Sequence, residues 1–203
     1  MKNNIEELKE KYPVGTRIKL LEDIDDSQPI KAGEIGTVDF IDSMGSLQMT
    51  WDNGRSLAVV PEVDKFEVIE RPEKIKVIII EPKKDPYIKE IYNTLKAKQE
   101  IVGGLIQCLP TMFSKEDTYD FIVNDEGKLL DLPFNRYIYD KQDIVAGNII
   151  IAKADISTGE YVSIDDSKID FLMKQIEEKC PKYNSIELQN NMENEYDLED
   201  MDK

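Results

Sequence analysis

The first third of the chain alternates apolar and polar residues in short runs. An alternation with a period of two residues predicts β-strands that bury one face. The runs cover residues 17–23, 33–42, 46–52, 55–60 and 64–70. Asn53-Gly54 separates two of them, and an Asn-Gly pair supplies the positive φ angles of a tight hairpin turn. Short strands this close together predict a small SH3-like β-barrel.

A short amphipathic helix is predicted ahead of the strands, over residues 5–11. The Tyr12-Pro13 pair ends it, because a proline disfavours helical geometry at the residue before it. Residues 71–74 are polar, include a proline and precede an abrupt change of pattern. The first domain is therefore predicted to span residues 1–70.

The middle of the chain has longer apolar runs. Residues 75–82, IKVIIIEP, form a continuous β-branched run, which is typical of a strand covered on both faces. Residues 88–102 place apolar side chains near one helical stripe that ends at Gly103-Gly104. Further strands are predicted at residues 105–113, 118–125 and 147–155, and a helix capped by Ser163 at residues 165–179.

These elements follow one another in the order β-α-β-β-β-α. That order predicts an α+β domain over residues 75–180, with one sheet and its helices on one side. From Pro181 onward the periodicity is lost and acidic residues accumulate. Residues 181–203 are therefore predicted to be an acidic disordered tail.

The net charge limits the classes of partner. The chain carries 42 acidic and 26 basic residues, a formal charge of −16. Free nucleic acid and anionic membranes are poor partners for such a surface, because affinity for phosphates depends on cations. Two classes remain: a basic protein, or a small ligand in a pocket whose charge differs from the surface average. No apolar run approaches the roughly 20 residues that span a bilayer, so we expect a cytoplasmic protein.

The residue types argue against catalysis. Histidine is absent, which removes the usual general base and zinc ligand. Cys108 and Cys180 form no disulfide framework, and Cys108, in an apolar run, is predicted to be buried. We expect a non-enzymatic protein with no cofactor and no metal. An enzyme that uses Glu81 or Glu126 as a base is the least supported hypothesis.

The candidate ligand site centres on Asn135 and Arg136, which follow a rigid Pro133. Arginine presents a planar fork of donors that suits phosphate or carboxylate, so the pair could bind a nucleotide-like anion. The alternative is that Asn135 caps a turn while Arg136 pairs with a nearby carboxylate such as Asp140. Tyr137 and Tyr139 could stack on a base, or they could pack in the core.

Two further groups of residues complete the predicted sites. Glu81 and Tyr87 lie near the end of the first strand of the second domain, where α/β sheets tend to bind ligands. In the barrel, Trp51 with Asn53 and Arg55 is predicted to bind a partner in an aromatic groove. The alternative for Trp51 is a core position.

Both halves resemble families of mobile elements. Tyr12-Pro13, Gly36-Thr37-Val38 and WDNGRS at residues 51–56 resemble a small uncharacterised barrel family of phages, plasmids and integrated elements of Gram-positive bacteria. The motif NDEGKLLDLPFNR at residues 124–136 resembles a second uncharacterised family from the same elements. The resemblance implies an accessory protein of a phage or conjugative element, where small acidic proteins often antagonise host defence. Asp131 stands where this family is expected to have glycine.

We therefore expect an accessory protein that antagonises host defence by sequestering a small nucleotide-derived anion in the host cytoplasm. The ligand would contact Asn135, Arg136, Tyr137, Tyr139, Glu81 and Tyr87. The alternative is an acidic nucleic-acid mimic, or protein adaptor, that binds and inhibits a host nuclease. The barrel could also form a homo-oligomer.

Overall fold

The computed structural model describes residues 2–26 and 28–184, with side chains from residue 5 onward. The chain forms two compact units. One contains Met1–Ile75 and Glu90–Lys98, and the other contains Lys76–Lys89 and Gln99–Lys203. The secondary structure is α+β, and its sheets are mostly antiparallel. Within the described ranges, no helix is both long enough and apolar enough to cross a membrane.

The first unit contains a helix and a four-stranded antiparallel sheet. Its elements are α1 (Lys2–Lys11), β1 (Arg17–Leu20), β2 (Ile35–Ile41), β3 (Leu47–Trp51) and β4 (Phe66–Glu70). The strand order is β3-β2-β1-β4. Alternate side chains of the strands form the core with Tyr12 and Val59. The period-two pattern therefore located these four strands correctly.

The strand predicted at residues 55–60 is wrong. This segment forms only an isolated bridge between Leu47 and Val59. The indole Nε1 of Trp51 donates to the carbonyl of Leu57 at 2.9 Å. That carbonyl is therefore engaged by a side chain instead of a neighbouring strand. A turn before it is present, since Gly54 N–H donates to Trp51 O at 2.8 Å, but of the Asn53-Gly54 pair only Gly54 has the predicted positive φ (82°).

The elements that follow are strands joined by short loops and two helices. They are β5 (Lys74–Ile80), β6 (Tyr87–Tyr92), α2 (Leu95–Val102), β7 (Ile106–Pro110), β8 (Thr118–Asn124), β9 (Phe134–Ile138), β10 (Asp143–Ala146), β11 (Ile149–Ala154), β12 (Tyr161–Val162) and α3 (Asp166–Lys179). The larger sheet has the order β6-β5-β11-β8-β7, and β12 also pairs with β11. β9 and β10 form a separate two-stranded hairpin.

The buried centre of this sheet confirms the prediction from the β-branched runs. Consecutive isoleucines at 78–80 in β5 and 149–151 in β11 are all buried. Ile78 pairs with Ile151 and Ile80 with Ile149, and these four side chains pack against Leu172 and Ile176 of α3. Consecutive buried residues mean that both faces of the central strands are covered.

The prediction that both helices lie on one side of the sheet is wrong. α3 packs on the face that carries Ile78 and Ile151. On the other face, Asn124 and Asn148 donate through Nδ2 to the carbonyls of Val102 (3.3 Å) and Ile101 (2.8 Å) at the end of α2. Because strand side chains alternate between faces, the last turn of α2 lies opposite α3.

The helix predicted over residues 88–102 is wrong in its first half. Residues Tyr87–Tyr92 form the edge strand β6, and α2 begins only at Leu95. Thr94 sets this start, because its Oγ1 accepts the N–H of Ala97 at 3.2 Å. The apolar spacing of the segment fits a helix, but pairing with β5 fixes residues Tyr87–Tyr92 as a strand.

The hairpin of β9 and β10 was not predicted. Its turn carries Tyr139, Asp140 and Lys141 with φ of 51°, 53° and 67°. All three residues are in the left-handed region, which glycine adopts most easily. A turn without glycine gave no hairpin signal in the sequence. Asp131 is also left-handed, with φ of 53°, which explains why glycine would suit that position without any ligand.

Both ends of α3 differ from expectation. Asp165, not Ser163, is the N-cap residue, and Ser163 Oγ accepts the N–H of Lys76 at 3.1 Å. After the helix, residues 181–184 lie along β9 instead of beginning a tail. Tyr137 N–H donates to Pro181 O, and Tyr183 N–H donates to Asn135 O, both at 3.0 Å. The rest of the predicted tail, residues 185–203, lies outside the described residues.

Candidate functional site

A cavity of about 280 Å³ opens beside Arg136. Arg136 reaches it from β9, and the other walls come from the loop after β5, from α3 and from the segment after α3. Those residues are Asp85, Pro86, Met173, Ile176, Glu177 and Lys182. This volume is near the lower end of cavities that hold small ligands. The cavity thus combines an apolar wall with charged side chains of both signs.

Arg136 is an unusual buried cation. Its side chain is 4% exposed, and Nη1 donates to Cys180 O at 3.2 Å. Its Nε is buried and has no hydrogen-bond acceptor among the described residues. Burial lowers the pKa of the guanidinium, while the nearby carboxylates Asp85 and Glu177 act to raise it. An arginine remains charged at neutral pH, so this site holds an incompletely satisfied positive charge.

No described carboxylate pairs with the guanidinium. Asp85 pairs instead with Lys182, with Nζ 2.6 Å from Oδ1, and this contact lowers the pKa of Asp85. The predicted alternative, an ion pair of Arg136 with Asp140, is not present among the described contacts. The described hydrogen bond of the Arg136 guanidinium is therefore to a backbone carbonyl, that of Cys180.

Asn135 holds the backbone instead of lining the cavity. It is 2% exposed, and its Nδ2 donates to Ile80 O and Gly147 O, both at 2.8 Å. It therefore ties the end of β5 to the loop before β11. Its Oδ1 is buried without a donor among the described residues. Asn135 does not line this cavity, and its Nδ2 already makes two hydrogen bonds within the fold, so its ligand contact stays a prediction.

Tyr137 does not face the cavity either. Its ring centroid lies 5.8 Å from that of Tyr183, and Tyr183 also packs on Phe134 at 5.0 Å. The Nζ of Lys141 lies 5.7 Å from the Tyr137 centroid. The Tyr137 ring thus already packs against aromatic and lysine side chains of the chain itself.

Tyr139 lies at a different, smaller cavity of about 70 Å³. Its hydroxyl donates to Pro110 O at 3.2 Å, and burial raises its pKa. Phe113 and Cys180 line the same cavity. Tyr139 and Arg136 therefore do not belong to one site.

Glu81 and Tyr87 support the loop that brings Asp85 and Pro86 to the cavity. Tyr87 OH donates to Glu81 Oε1 at 2.8 Å, and Lys84 forms an ion pair with the same carboxylate. Hydrogen bonds from Lys84 and, to a smaller extent, from Tyr87 lower the pKa of Glu81. A lowered pKa makes a carboxylate a weaker general base, so this geometry does not favour Glu81 as a catalytic base.

The three residues predicted to bind a partner in the first unit do not form one surface. Trp51 is 1% exposed and packs in the core, with its ring against Gly36. It cannot contact a partner directly, so the core alternative is correct for this residue. Asn53 and Arg55 lie at the surface of the turn, where Asn53 Oδ1 accepts Arg55 N–H at 3.1 Å. Arg55 also donates to Pro29 O at 2.8 Å, so Asn53 is exposed whereas Arg55 is half-buried and anchored.

The two cysteines lie in different environments. Cys108 is exposed on the edge strand β7, contrary to prediction, and Tyr161 OH lies 3.3 Å from its Sγ. Tyr161 OH also donates to Asp120 at 2.9 Å, and burial raises its pKa. Cys180 is buried after α3, and burial raises its thiol pKa to about 11. Among the described residues, no cluster of three or more acidic or cysteine side chains is placed to hold a metal.

Of the six predicted ligand residues, only Arg136 lines the larger cavity. The residues that sequence analysis missed are Asp85, Pro86, Met173, Ile176, Glu177 and Lys182. They come from a loop, a helix and the segment after it, and no shared spacing in the sequence connects them. The apolar stripe of α3 was recognised, but the stripe alone does not show which of its ends borders a cavity.

Comparison with known proteins identifies the family but not an activity. A model for a domain of unknown function, DUF3846, matches residues 75–177, just over half of the chain. A second, for the domain of unknown function DUF4314, matches residues 1–69. These matches confirm two uncharacterised domain families. No curated protein and no solved structure matches the chain. The chain therefore belongs to the DUF3846 family and carries a DUF4314 domain ahead of that domain.

Proposed function

We propose that this chain is a non-enzymatic binding protein that holds a small anionic ligand in the cavity beside Arg136. The observation that carries the proposal is the buried guanidinium of Arg136, whose Nε has no acceptor among the described residues. Buried polar groups are normally hydrogen-bonded, and an unsatisfied charged group is costly. A phosphate or carboxylate group in the cavity that Arg136 lines would bring a compensating negative charge close to this guanidinium.

The charge of the chain makes this location important. At a net charge of −16, the average surface repels anions. An anion can therefore bind only where a cation acts at short range in a poorly solvated environment, since the Coulomb attraction grows as the effective dielectric constant falls. Arg136 at the cavity wall meets both conditions, and Lys182 adds a second cation.

The cavity walls indicate the form of the ligand. Pro86, Met173 and Ile176 are apolar, so the ligand would carry an uncharged portion next to its anionic group. A nucleotide-derived ligand fits this description if its base packs on Met173 and Pro86, in place of the stacking on Tyr137 and Tyr139. We keep the setting that the resemblance implies: an accessory protein of a phage or mobile element that sequesters a host signal in the cytoplasm. The first unit, as an SH3-like barrel, would dock a protein or a second copy.

Isothermal titration tests the proposal directly. The ligands are pyrophosphate, AMP, and cyclic and ADP-ribose-type nucleotides. Loss of a charge-assisted hydrogen bond costs about 1.5–3 kcal/mol, so Arg136→Gln should weaken binding by about 10- to 100-fold. Arg71→Gln removes the same charge at an exposed position and should leave the affinity unchanged.

A second variant covers the case in which Arg136→Gln disturbs folding. Met173→Trp fills the cavity and keeps every charge, so it should also abolish binding while circular dichroism stays the same. Absence of heat with every ligand for the wild-type protein would overturn the proposal. Equal affinity in the Arg136→Gln and Arg71→Gln proteins would overturn the assigned site.

The charge also favours a second function, an acidic mimic or adaptor that occupies the basic groove of a nuclease. Its support is the excess of 42 acidic over 26 basic residues. Binding between exposed opposite charges weakens steeply as salt rises, whereas an anion held next to a buried cation is screened much less. Nuclease inhibition that disappears between 50 and about 500 mM NaCl, and is unaffected by Met173→Trp, would favour the mimic.

A further inference from the structure

We infer that the sheet edge at β7, with a cavity beside it, binds an extended cationic segment of a partner protein. This β7 edge surface consists of the outer backbone edge of residues 106–108 and the cavity lined by Leu109, Leu129 and Ile144. No residue lines both this cavity and the one beside Arg136. The inference therefore goes beyond the proposed ligand function and does not depend on it.

The backbone of β7 turns alternately to β8 and to the outer edge. Thr111 N–H donates to Tyr119 O, on the β8 side, at 2.9 Å. In an antiparallel pair, every second residue directs its backbone groups to the same neighbour. The backbone groups of Ile106 and Cys108 therefore point away from β8. Because β7 is the last strand in the sheet order, no described strand pairs with them.

β7 lacks the charged side chains that protect many sheet edges from pairing. At the opposite edge of the same sheet, β6 carries Lys89 and Glu90. Residues 101–114, which include β7, carry no charge, although 33% of the residues in the chain are charged. Pro110 closes one end of the edge, where its carbonyl accepts the hydroxyl of Tyr139 at 3.2 Å. The remaining edge is of the kind that accepts an added strand.

A cavity of about 130 Å³ lies next to this edge. Its walls include Leu109 of β7 and Leu129, whose side chain is 83% exposed. A cavity of about 150 Å³ can hold a ring the size of benzene, so this one has room for one apolar side chain. Leu105 lies on the same face of the segment as Leu109 and is also exposed. The surface therefore offers main-chain pairing and a pocket for a side chain, the combination used in strand addition.

The rim of the cavity is acidic, which sets the chemistry of the partner. Asp125 and Asp143 line the cavity, and the exposed Glu126 follows Asp125 in the chain. Lys128 also lines the cavity, but it forms an ion pair with Asp143. Within the described part of the chain, Asp125 and Glu126 have no ion pair. A lysine or arginine on either side of the inserted apolar residue would supply one, because complementary charges favour association.

Titration with defined peptides tests the surface. The probe is a fluorescent, acetylated peptide in which lysine alternates with leucine, and anisotropy measures its binding to the full-length protein. A second peptide carries a methyl group on every backbone nitrogen. It keeps all charges and side chains but loses its backbone donors, so it should bind at least about tenfold more weakly. A third peptide, with glutamate in place of lysine, should not bind measurably.

Two results of this titration would overturn the inference. One is absence of binding by the first peptide, and the other is equal binding of the first and second peptides. Equal binding of the glutamate peptide would contradict the cationic partner.

Amide hydrogen exchange locates the added strand. The N–H groups of Ile106 and Cys108 should exchange faster in the free protein than that of Leu109, which faces β8. Saturating peptide should slow exchange at Ile106 and Cys108 by about tenfold or more and leave Leu109 nearly unchanged, because only the outer groups gain partners. Unchanged exchange at Ile106 and Cys108, or equal slowing at all three positions, would exclude strand addition.

Matched variants separate this surface from general attraction to an acidic chain. Leu129→Gln should weaken binding about tenfold, whereas Ile156→Gln removes an exposed apolar side chain elsewhere and should not. Asp125→Asn should weaken binding about two- to fivefold, whereas Asp170→Asn removes an exposed charge of α3 and should not. If each variant and its control had equal effects, the assigned site would be wrong.

Sedimentation of the full-length protein distinguishes a partner peptide from a second copy of the chain. A peptide site stays open in the free protein, so Leu129→Gln should leave the sedimentation coefficient unchanged. A wild-type dimer that Leu129→Gln dissociates would assign the β7 edge surface to a second copy and overturn the inference.

Discussion

At the scale of single residues, neighbours in the sequence have different roles. Asn135 and Arg136 were predicted to act as one recognition pair. Asn135 instead uses both donors to hold the carbonyls of Ile80 and Gly147, whereas Arg136 faces a cavity with an unsatisfied Nε. Successive strand residues point to opposite faces. Adjacent polar residues in a strand therefore often serve two environments.

The role of Asn135 leads to a stability prediction. Asn135→Ala should lower the free energy of unfolding by about 2–4 kcal/mol, since it leaves two buried carbonyls without a donor. Asn148→Ala removes one half-buried hydrogen bond, to Ile101 O, and should cost about 1 kcal/mol. Urea denaturation measures both. A smaller loss for Asn135→Ala than for Asn148→Ala would contradict the structural role.

The conformation of Asp131 leads to another prediction. Its φ of 53° is strained for a residue with a Cβ, and its side chain is exposed. Asp131→Gly should therefore be more stable than Asp131→Ala by about 1 kcal/mol, because alanine pays for the left-handed backbone and glycine does not. The two variants have the same net charge, so thermal or urea unfolding isolates the backbone effect. A more stable alanine variant would rule this explanation out.

At the scale of elements, pairing partners decide what local pattern leaves open. The segment Tyr87–Tyr92 has helical spacing but pairs as an edge strand. The hairpin of β9 and β10 forms around a turn without glycine, and residues 181–184 lie against its outer strand. The first two outcomes depend on pairing with an adjacent strand in the chain, whereas the pairing of Lys182 with Arg136 joins residues that are distant in sequence.

Amide hydrogen exchange tests the pairing of the last described segment with β9. The N–H groups of Tyr137 and Tyr183 each donate across this pairing at 3.0 Å. Both should exchange at least about 100-fold more slowly than in an unstructured peptide, because exchange requires local opening. Tyr183→Ala removes the ring contacts with Phe134 and Tyr137 and should reduce this protection. Unprotected Tyr183 in the wild type would show that the chain separates from β9 directly after α3.

At the scale of the whole molecule, the charge and the absence of histidine set the response to pH. Several carboxylates have a lowered pKa, including Asp52, through its hydrogen bond with Arg17, and Asp85, through its hydrogen bond with Lys182. Others are Asp23, Asp42, Glu81, Asp117, Asp143 and Asp155. A lowered pKa in the folded state contributes stability above the unfolded pKa, and acidification removes that contribution.

The stability should therefore be flat between about pH 5.5 and 7, because no side chain has an ordinary pKa in that range without histidine. The stability should fall below about pH 4.5, because the carboxylates bind more protons in the unfolded chain than in the folded chain, where their pKa is lowered. Thermal unfolding across this series measures the curve. Asp52→Asn should flatten part of the acid limb, whereas Asp131→Asn, at a residue without a described ion pair, should not. A step centred near pH 6.5 would contradict the prediction.

The sequence determined the features that depend on local pattern and composition. Period-two alternation located β1 to β4, and consecutive isoleucines located the buried strands β5 and β11. The 3.6-residue spacing located α3 almost to its ends. These predictions succeeded because side-chain periodicity reflects which face of one element is buried. The same local information placed Cys108 in a strand but could not show that this strand lies at the sheet edge.

Tertiary structure alone decided the candidate site. Arg136, Asp85 and Glu177 line one cavity but come from three separate segments of the chain. Nothing in the sequence indicates that these segments lie close together. Whether Arg136 is paired depends on which carboxylates the fold brings within reach, and Asp85 pairs with Lys182 instead. Composition established that a site for an anion must differ from the acidic average of the chain. Long-range packing then determined where that difference occurs, because burial and hydrogen-bond satisfaction are properties of the assembled fold.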